Sequence, residues 1–286
     1  MDQCRLCGGT IRLKFSRHGA DVKVDYFQCS TCECLQTEEP YWLPQAYNVD
    51  IPQIDAFAVE RALSCRNIIW CLFKICDISP QDDKLLDWGG GQGLLARMLR
   101  DVGIDAYLYD RYDKNVYACS FDFSKDAYYK VATSLEVWEH FDNPRANIDE
   151  FFSLNSEFFL VSTCRYCGQD ENWPYLGEVK DQHVFFYSDK SLEWIATTYG
   201  YKVALFPSDF VLFYKNSIPK IRIWAFKQLV AHHHLCEIFF ALKRKRSRAL
   251  EDSDRQHAAC HKLAGCRIGD AGLAHALDRG ARHSPE

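Results

Sequence analysis

The chain has 286 residues, of which 48% are hydrophobic and 26% are charged, and its formal net charge is −5. This composition predicts a globular protein with one α/β core and a smaller module, and it excludes a fibrous or wholly disordered chain. Since the net charge is negative, we expect no nucleic-acid partner. No stretch reaches the roughly 20 apolar residues that a membrane helix needs, so we expect no transmembrane segment.

The first residues, MDQCRLCGG, place an acid and cysteines where a secretory signal has a basic start and an apolar stretch. We therefore expect a cytoplasmic protein. The chain contains 14 cysteines. In a reducing compartment, closely spaced cysteines favour metal binding over a framework of disulfides.

Two cysteine pairs lie within residues 1–45, which we predict to form a separate module with two short strands between the pairs. Four thiolates at this spacing suit a structural Zn2+ ion, whose binding stabilises a segment too small to fold through burial alone. Cys34 follows the second pair and is a spare or alternative ligand. Unliganded core thiols are the other interpretation. The predicted ligands are Cys4, Cys7, Cys29 and Cys32.

Residues 46–79 are predicted to link this module to the main domain, with a helix over residues 54–76, where apolar residues recur at helical spacing. Strands and helices then alternate through residues 80–216. This order predicts a doubly wound, Rossmann-like α/β fold with a mainly parallel sheet, whose ligands bind at the carboxyl ends of the strands. The predicted strands are KLLDW, DAYLYD, YKVATSLEV and EFFLVST, and the helices between them are GLLARMLRDVG and NPRANIDEFFSL.

The first of these strands ends in an acid and a glycine-rich turn, in the sequence LLDWGGGQGLLARML. The dinucleotide fingerprint needs a glycine at position 94, but this position is Leu94. The glycines that follow Asp87 allow a ligand to approach the backbone closely, and a merely structural turn is the alternative. Asp110 ends the next strand, where a carboxylate can accept hydrogen bonds from both ribose hydroxyls.

These residues resemble the first motif of the class I S-adenosylmethionine-dependent methyltransferases. The segment SLEVWEHFDNP is similar to the Glu-x-x-Glu-His segment of many of these enzymes, and the similarity extends over residues 80–215. The resemblance implies a sheet of seven strands, with S-adenosylmethionine as the cofactor. The cofactor-binding residues that it implies are Asp87, Gly89, Gly90, Gly91, Gly93, Asp110 and Glu136.

Methyl transfer from a sulfonium is an in-line displacement, so the enzyme must align the nucleophile and usually remove its proton. His183 and His140, which follows Glu139, are the candidate catalytic bases, because imidazole titrates near neutral pH. Alternatively, these three residues and Glu136 bind Mg2+, Mn2+ or Fe2+, as the similar segment does in some quinone-precursor and RNA methyltransferases. A third interpretation is that Glu139 and His140 cap a helix.

The segment CRYCGQDENWPYLGEVKDQ places Trp173 and Tyr175 after the predicted strand at 157–163. Aromatic faces beside carboxylates and amides suit a saccharide ring, and packing within the loop is the alternative. The cysteine module resembles that of sugar C-methyltransferases that act on nucleotide-linked deoxysugars, although their long C-terminal domain has no counterpart here. We therefore expect a sugar or sugar-linked acceptor. An RNA or quinol-type O-methyltransferase and a non-catalytic adaptor are the alternatives.

Residues 217–249 are predicted to be helical, with apolar residues on one side and a basic end at Lys243–Arg248. Such a segment packs on the core, forms a dimer contact or touches an anionic membrane surface weakly. From residue 250 to residue 286 the composition changes abruptly to Ala, Arg, His, Gly and Asp, which predicts a poorly ordered tail.

Overall fold

The computed structural model describes residues 2–19, 22–46, 58–207 and 209–243, together with Asp252. The chain divides into two compact units, residues 1–248 and 249–286, and every element described below belongs to the first. The tail predicted over residues 250–286 lies outside the described residues, apart from Asp252. None of the described helices combines the length and the apolar character needed to cross a membrane.

The secondary structure begins with a set of strands and then alternates. In chain order the elements are β1 (Ile11–His18), β2 (Lys23–Cys29), β3 (Leu35–Thr37), α1 (Leu43–Ala46), α2 (Ala58–Ile75), β4 (Lys84–Trp88), α3 (Leu94–Asp101), β5 (Asp105–Tyr109), β6 (Val131–Leu135), α4 (Pro144–Phe152), β7 (Phe158–Ser162), β8 (Phe185–Phe186), α5 (Asp189–Tyr199), β9 (Lys202–Leu205), β10 (Phe210–Tyr214), α6 (Lys220–Ala231) and α7 (His233–Lys243). Single turns of 3-10 helix lie at Trp138–His140 and Pro174–Leu176.

The main sheet has the strand order β5-β4-β6-β7-β10-β9. Its first four strands are parallel, and β10 runs antiparallel to both of its neighbours. This arrangement confirms the predicted Rossmann-like α/β fold with a mainly parallel sheet. Within the described residues the sheet has six strands, not the seven that we expected. The seventh would lie beside β5, where the backbone makes only an isolated parallel bridge between Leu108 and Asp122.

The central strands are buried on both faces, which explains their continuous apolar runs. Successive residues point to opposite sides of the sheet. Leu85 and Leu160 therefore pack into a core cluster shared with α2, whereas Leu86 and Phe159 pack into a second cluster that contains Trp138. Both faces of the sheet are therefore packed, which leaves the ends of its strands as the edge where a ligand can bind.

A smaller antiparallel sheet contains the cysteine pairs and has the order β1-β2-β3-β8. The strands β1 and β2 lie between the pairs, where the sequence predicts two short strands. The fourth strand, β8, follows the main-sheet strand β7 along the chain, and it pairs with β3 through Leu35 and Phe186 and through Gln36 and Phe185. The module predicted as residues 1–45 is thus completed by a strand from the C-terminal half of the protein.

The C-terminal helical segment consists of two helices, because His232 has a non-helical backbone between α6 and α7. The apolar side chains of both helices, including Val230 and Phe240, pack against α2 in the core cluster. The segment therefore packs on the core. The predicted basic end lies largely outside the described residues, so membrane contact through it stays a prediction.

Candidate functional site

A cavity of about 960 Å3 lies where the carboxyl ends of β4, β5 and β6 meet. The turns that follow these strands contribute Gly89, Asp110 and Glu136 to its wall. Parallel α/β sheets bind their ligands at this edge. The opposite wall comes from the cysteine module and its surroundings, through residues that include Arg5, Glu39, Pro40, Tyr41, Leu43, Pro44 and Gln182.

The turn after β4 requires glycine for two separate reasons. Gly89 has a φ of 80°, which side chains rarely adopt, and a Cβ there would lie 2.8 Å from the Val137 side chain. A Cβ on Gly90 would overlap the Asp87 carboxylate and lie 2.7 Å from Leu108. Gly93 begins α3 as its N-cap residue. The backbone of this turn is therefore packed tightly against the ends of β4 and β5.

Asp87 is 2% exposed at the end of β4. Its Oδ1 accepts a hydrogen bond of 2.9 Å from the Thr133 hydroxyl, whereas its buried Oδ2 has no partner among the described residues. Burial, together with the negative charge of Asp110, raises the pKa of Asp87 to about 7. A buried acceptor without a donor is costly, so this oxygen is a candidate contact for a ligand.

Asp110 connects the ends of β4 and β5. Its Oδ2 accepts a hydrogen bond from the backbone N–H of Gly91 at 2.8 Å, and its Oδ1 accepts from the N–H groups of Tyr112 and Asp113. A carboxylate has about four lone-pair sites, so the side chain retains capacity for a hydroxyl donor. Its predicted contact with a ribose stays a prediction.

The structure brings together the predicted catalytic residues Glu139, His140 and His183. One potential ligand atom from each lies within 4.8 Å of the other two, and the two imidazole rings have centroids 4.9 Å apart. The Nδ1 atom of His183 is 2.7 Å from the backbone carbonyl oxygen of Tyr175. A carbonyl only accepts, so Nδ1 carries the proton, and in the neutral ring Nε2 is an acceptor.

His140 lies on the cavity wall, and its Nδ1 finds no hydrogen-bond partner in the part of the chain that the structure describes. Burial and the neighbouring His183 lower the pKa of His140 to about 4, so its imidazole is neutral at pH 7. The interpretation of Glu139 and His140 as helix caps is wrong. The N-cap of α4 is Asn143, whose side chain accepts a hydrogen bond from the N–H of Ala146.

Tyr175 lies between the buried carboxylate of Glu139 and the partly buried carboxylate of Glu136, and it is not on the cavity wall. Its hydroxyl donates to Glu139 Oε1 at 2.7 Å and is 3.3 Å from Glu136 Oε2. Burial raises the pKa of both glutamates, and for Glu136 the charge of Glu139 adds to this. Trp173 packs on Phe186 with ring centroids 5.4 Å apart. Both aromatic residues therefore occupy the positions expected of packing anchors, and neither lines the cavity.

The predicted zinc ligands also come together. Their four sulfur atoms lie within 4.8 Å of one another, with 3.7 Å between Cys4 and Cys32 and 3.5 Å between Cys7 and Cys29. A tetrahedral zinc site with Zn–S bonds of about 2.3 Å has sulfur atoms about 3.8 Å apart, so these residues fit the ion. A backbone N–H of Thr31 also points at Cys29 Sγ, as expected for a thiolate.

Arg5 is a cavity residue that the sequence did not indicate. Its guanidinium donates to the backbone carbonyls of Val184 at 2.7 Å, Asp142 at 3.0 Å and Thr37 at 3.3 Å. Burial lowers its pKa to about 10, so it remains a cation at neutral pH. Arg5 thus joins the cysteine module to the segments that carry His183 and His140. Only its position beside Cys4 could have signalled this role.

A family of methyltransferase domains matches residues 61–205 of this sequence. The chain belongs to this family. The match confirms the resemblance predicted from the glycine turn and the Glu-x-x-Glu-His segment. No curated protein sequence matches the chain.

Several solved structures are similar to part of this chain. Magnesium protoporphyrin IX methyltransferase from Synechocystis PCC 6803, with bound SAH, has 13% identity and a TM-score of 0.41, over 62% of this chain and 98% of that chain. The small RNA methyltransferase HEN1 has 20% identity and a TM-score of 0.38, over 54% of this chain and 25% of that chain. CalO1, a methyltransferase of calicheamicin biosynthesis, has 12% identity and a TM-score of 0.36, over 61% of this chain and 66% of that chain.

Proposed function

We propose that this protein transfers a methyl group from S-adenosylmethionine, which it binds in the cavity at the ends of β4, β5 and β6. The observation that carries the proposal is the buried, unpartnered Oδ2 of Asp87 under the glycine turn. The charge of the cavity wall supports it, because four acids and two arginines favour a cationic ligand over a pyrophosphate. The acids are Glu39, Asp110, Glu136 and Asp142, and the arginines are Arg5 and Arg111.

The cofactor supplies an electrophilic methyl group, and the protein must activate the acceptor. His140 is the proposed base: it lies on the cavity wall and is neutral at pH 7, so it can take the proton from an acceptor hydroxyl. His183 lies against it and is oriented by the Tyr175 carbonyl. Once His140 has taken the proton, the Glu139 carboxylate nearby stabilises the resulting imidazolium.

The proposed acceptor is a sugar or a sugar-linked small molecule. The wall on the side of the cysteine module combines an aromatic face, Tyr41, which is 64% exposed, with the amide of Gln182. The amides of Asn143 and Asn147 add further donors and acceptors from α4. Apolar ring faces and hydroxyl rims of a saccharide match such a surface. These residues take the place of Trp173 and Tyr175 as the basis for a sugar acceptor, because Trp173 and Tyr175 do not line the cavity.

We also propose a structural Zn2+ ion at the four predicted cysteines. A closed site of four thiolates leaves no position for a substrate, so the ion stabilises the module and takes no part in the reaction. In a cytoplasm, the compartment we expect, reducing conditions would keep these thiols available for the metal.

The cofactor assignment is tested by calorimetry with S-adenosylmethionine, S-adenosylhomocysteine and NAD. We expect the first two to bind the unmodified protein, and Asp87→Ala to abolish that binding. The matched control is Asp126→Ala, which removes an exposed carboxylate and should bind as the unmodified protein does. Tight binding of NAD with none of the sulfonium compound would overturn the proposal.

The acceptor is tested with radiolabelled S-adenosylmethionine and two panels, one of sugar nucleotides and free glycosides and one of phenols and RNA. Label in the sugar panel, lost in His140→Ala, is the expected result. Label only in RNA or a phenol would reject the sugar assignment. No transfer by purified protein to any acceptor or to a metabolite extract, despite cofactor binding, would favour the non-catalytic adaptor.

A metal-assisted O-methyltransferase is the second candidate, because Glu139, His140 and His183 converge. The buried Oε2 of Glu139 and Nδ1 of His140 both lack partners among the described residues. A carboxylate and two imidazoles suit Mg2+, Mn2+ or Fe2+. The test removes all metals with a chelator and then returns Zn2+ to the cysteine site. If this candidate is right, the enzyme stays inactive until Mn2+ is added, and His183→Gln abolishes the recovery. Full activity after zinc reloading alone excludes this candidate.

A further inference from the structure

The cysteine module contains a fifth thiol in contact with the predicted zinc ligands. Cys34 is fully buried, and its sulfur lies 3.4 Å from that of Cys4 and 3.4 Å from that of Cys32. Cys4 and Cys32 are themselves 3.7 Å apart. This triangle is close to one face of a zinc tetrathiolate, in which the sulfur atoms are about 3.8 Å apart. Cys34 is therefore placed as a ligand would be.

Cys7 is the opposite case, because it is one of the paired cysteines and yet the most exposed residue of the five. It is partly exposed, whereas the other four are buried. Its sulfur is 3.5 Å from that of Cys29 and accepts a hydrogen bond from the N–H of Gly9. Zinc takes four ligands in a structural site. One of the five thiols must therefore remain off the ion while the other four bind.

We propose that Cys34 and Cys7 exchange as the fourth ligand of the zinc ion, an inference that rests on the proposed zinc site. In the exchange the Zn–S bond to Cys7 breaks and its sulfur takes up a proton. The Cys34 thiol gives up a proton and forms the new Zn–S bond. The number of protons and the charge of the site are unchanged, so the exchange needs no other reactant.

The exchange gives the module a way to keep its metal when its accessible thiol is modified. Cys4, Cys29 and Cys32 stay on the ion in both arrangements. Arg5 follows Cys4 directly and holds the segments on either side of the cavity. Keeping Cys4 on the metal therefore keeps this wall of the cavity in place.

The test uses Co2+ in the full-length protein, because its charge-transfer absorption reports the number of thiolate ligands. We expect Cys7→Ser and Cys34→Ser each to bind one ion through four thiolates, as the unmodified protein does. The double variant should retain three thiolate ligands and bind Co2+ more weakly. Its loss of affinity should exceed the roughly 10- to 100-fold that follows when a residue that only hydrogen-bonds to a metal ligand is removed. Cys167→Ser, which removes an exposed thiol outside the cluster, is the matched control.

Two results would overturn the inference and leave the zinc site standing. One is a Cys7→Ser variant that reports three thiolates, like the double variant. The other comes from the unmodified, zinc-loaded protein treated with N-ethylmaleimide: zinc released in proportion to labelling of Cys7 contradicts exchange, whereas labelled protein that keeps its zinc supports it. This second measurement needs no variant to fold. If the unmodified protein binds neither Co2+ nor Zn2+, the proposed zinc site itself is wrong.

Discussion

The glycine turn after β4 and the cluster of Glu139, His140 and His183 are built differently, although Gly89 of the turn and His140 of the cluster line the same cavity. The turn is one continuous stretch, in which Gly90 packs on Asp87 and the Gly91 N–H donates a hydrogen bond to Asp110. The cluster joins two separate segments, because Glu139 and His140 follow β6 while His183 precedes β8. A rigid local turn suits binding of a cofactor, whereas a cluster assembled by tertiary packing can be tuned for the reaction.

The electrostatics of the two regions also differ. In the turn a single carboxylate, Asp87, is buried with a raised pKa and one neutral donor, Thr133. In the cluster two carboxylates share the Tyr175 hydroxyl, and a neutral imidazole faces the cavity. If the turn binds the cofactor and the cluster activates the acceptor, substitutions in the two regions must affect different measurements.

The largest effect is expected for His140→Ala, which removes the proposed base from the cavity wall. General-base catalysis typically raises the rate about 10²- to 10⁴-fold. The kcat of methyl transfer to the acceptor should therefore fall by that factor. The affinity for S-adenosylhomocysteine, measured by calorimetry, should change little. The control is His18→Ala on the exposed end of β1. Equal losses of kcat and of cofactor affinity would contradict the proposal that the turn binds the cofactor and the cluster activates the acceptor.

Asp87→Asn should change how stability depends on pH. The folded protein holds the Asp87 proton to a pKa of about 7, against an ordinary value of 3.8. The folded state thus binds more protons between these values, and this contribution to stability falls as pH rises from about 4 to 7. The variant should lack that fall, which is about 1.4 kcal/mol per pH unit.

Urea unfolding at several pH values measures this difference between variant and unmodified protein. His140 acts in the opposite direction, because its lowered pKa makes the folded state less stable as pH falls from about 6.5 to 4. That contribution is common to both proteins and cancels in the subtraction. Identical pH slopes would show that the Asp87 carboxylate titrates normally and that the turn is not desolvated.

Gly90→Ala should weaken cofactor binding without removing any polar group. The new methyl group would overlap Asp87 and press on Leu108, and overpacking of this kind costs about 1–3 kcal/mol. Calorimetry with S-adenosylhomocysteine should show a weaker Kd, and urea unfolding a lower stability. In the control Gly19→Ala, the nearest described atom is 3.5 Å away on Val179, so neither quantity should change. Unchanged binding in Gly90→Ala would mean that the ligand lies elsewhere.

These two regions also differ in how far the sequence predicts them. The turn could be recognised because Asp87 and its glycines are contiguous and need a special backbone. Glu139, His140 and His183 could be proposed from residue type and resemblance, but their convergence depends on how β8 packs. The placement of Tyr175 between two glutamates follows from tertiary structure alone, since an aromatic loop residue suits a ligand or a core equally.

Dependence on tertiary structure or a missing sequence signal also explains the other features that the sequence did not predict. Arg5 carries no pattern of its own, and its three carbonyl partners come from separate segments. The two residues of β8 are too few to show strand periodicity. The seventh strand expected from the family is reduced to a bridge at Asp122, where the chain turns too soon to pair further. The break at His232 lacks the glycine or proline that usually signals a helix end.

The smallest effect is expected for Tyr175→Phe, and it separates a structural from a functional role for the cluster. Its hydroxyl hydrogen bonds lower the pKa of Glu136 and Glu139, so removing them should raise both values. A neutral Glu139 no longer stabilises an imidazolium at His140, so the acid limb of the kcat profile should move to higher pH. Loss of the hydrogen bond alone costs about 0.5–1.5 kcal/mol of stability.

Tyr166→Phe is the matched control, because the buried Tyr166 hydroxyl has no partner among the described residues. It should leave the pH profile unchanged. If Tyr175→Phe lowers stability and keeps the profile of the unmodified enzyme, the hydroxyl only packs the loop, and Glu139 does not act on the base. A shifted profile at unchanged affinity for S-adenosylhomocysteine would assign the proton chemistry to the cluster and the binding to the turn.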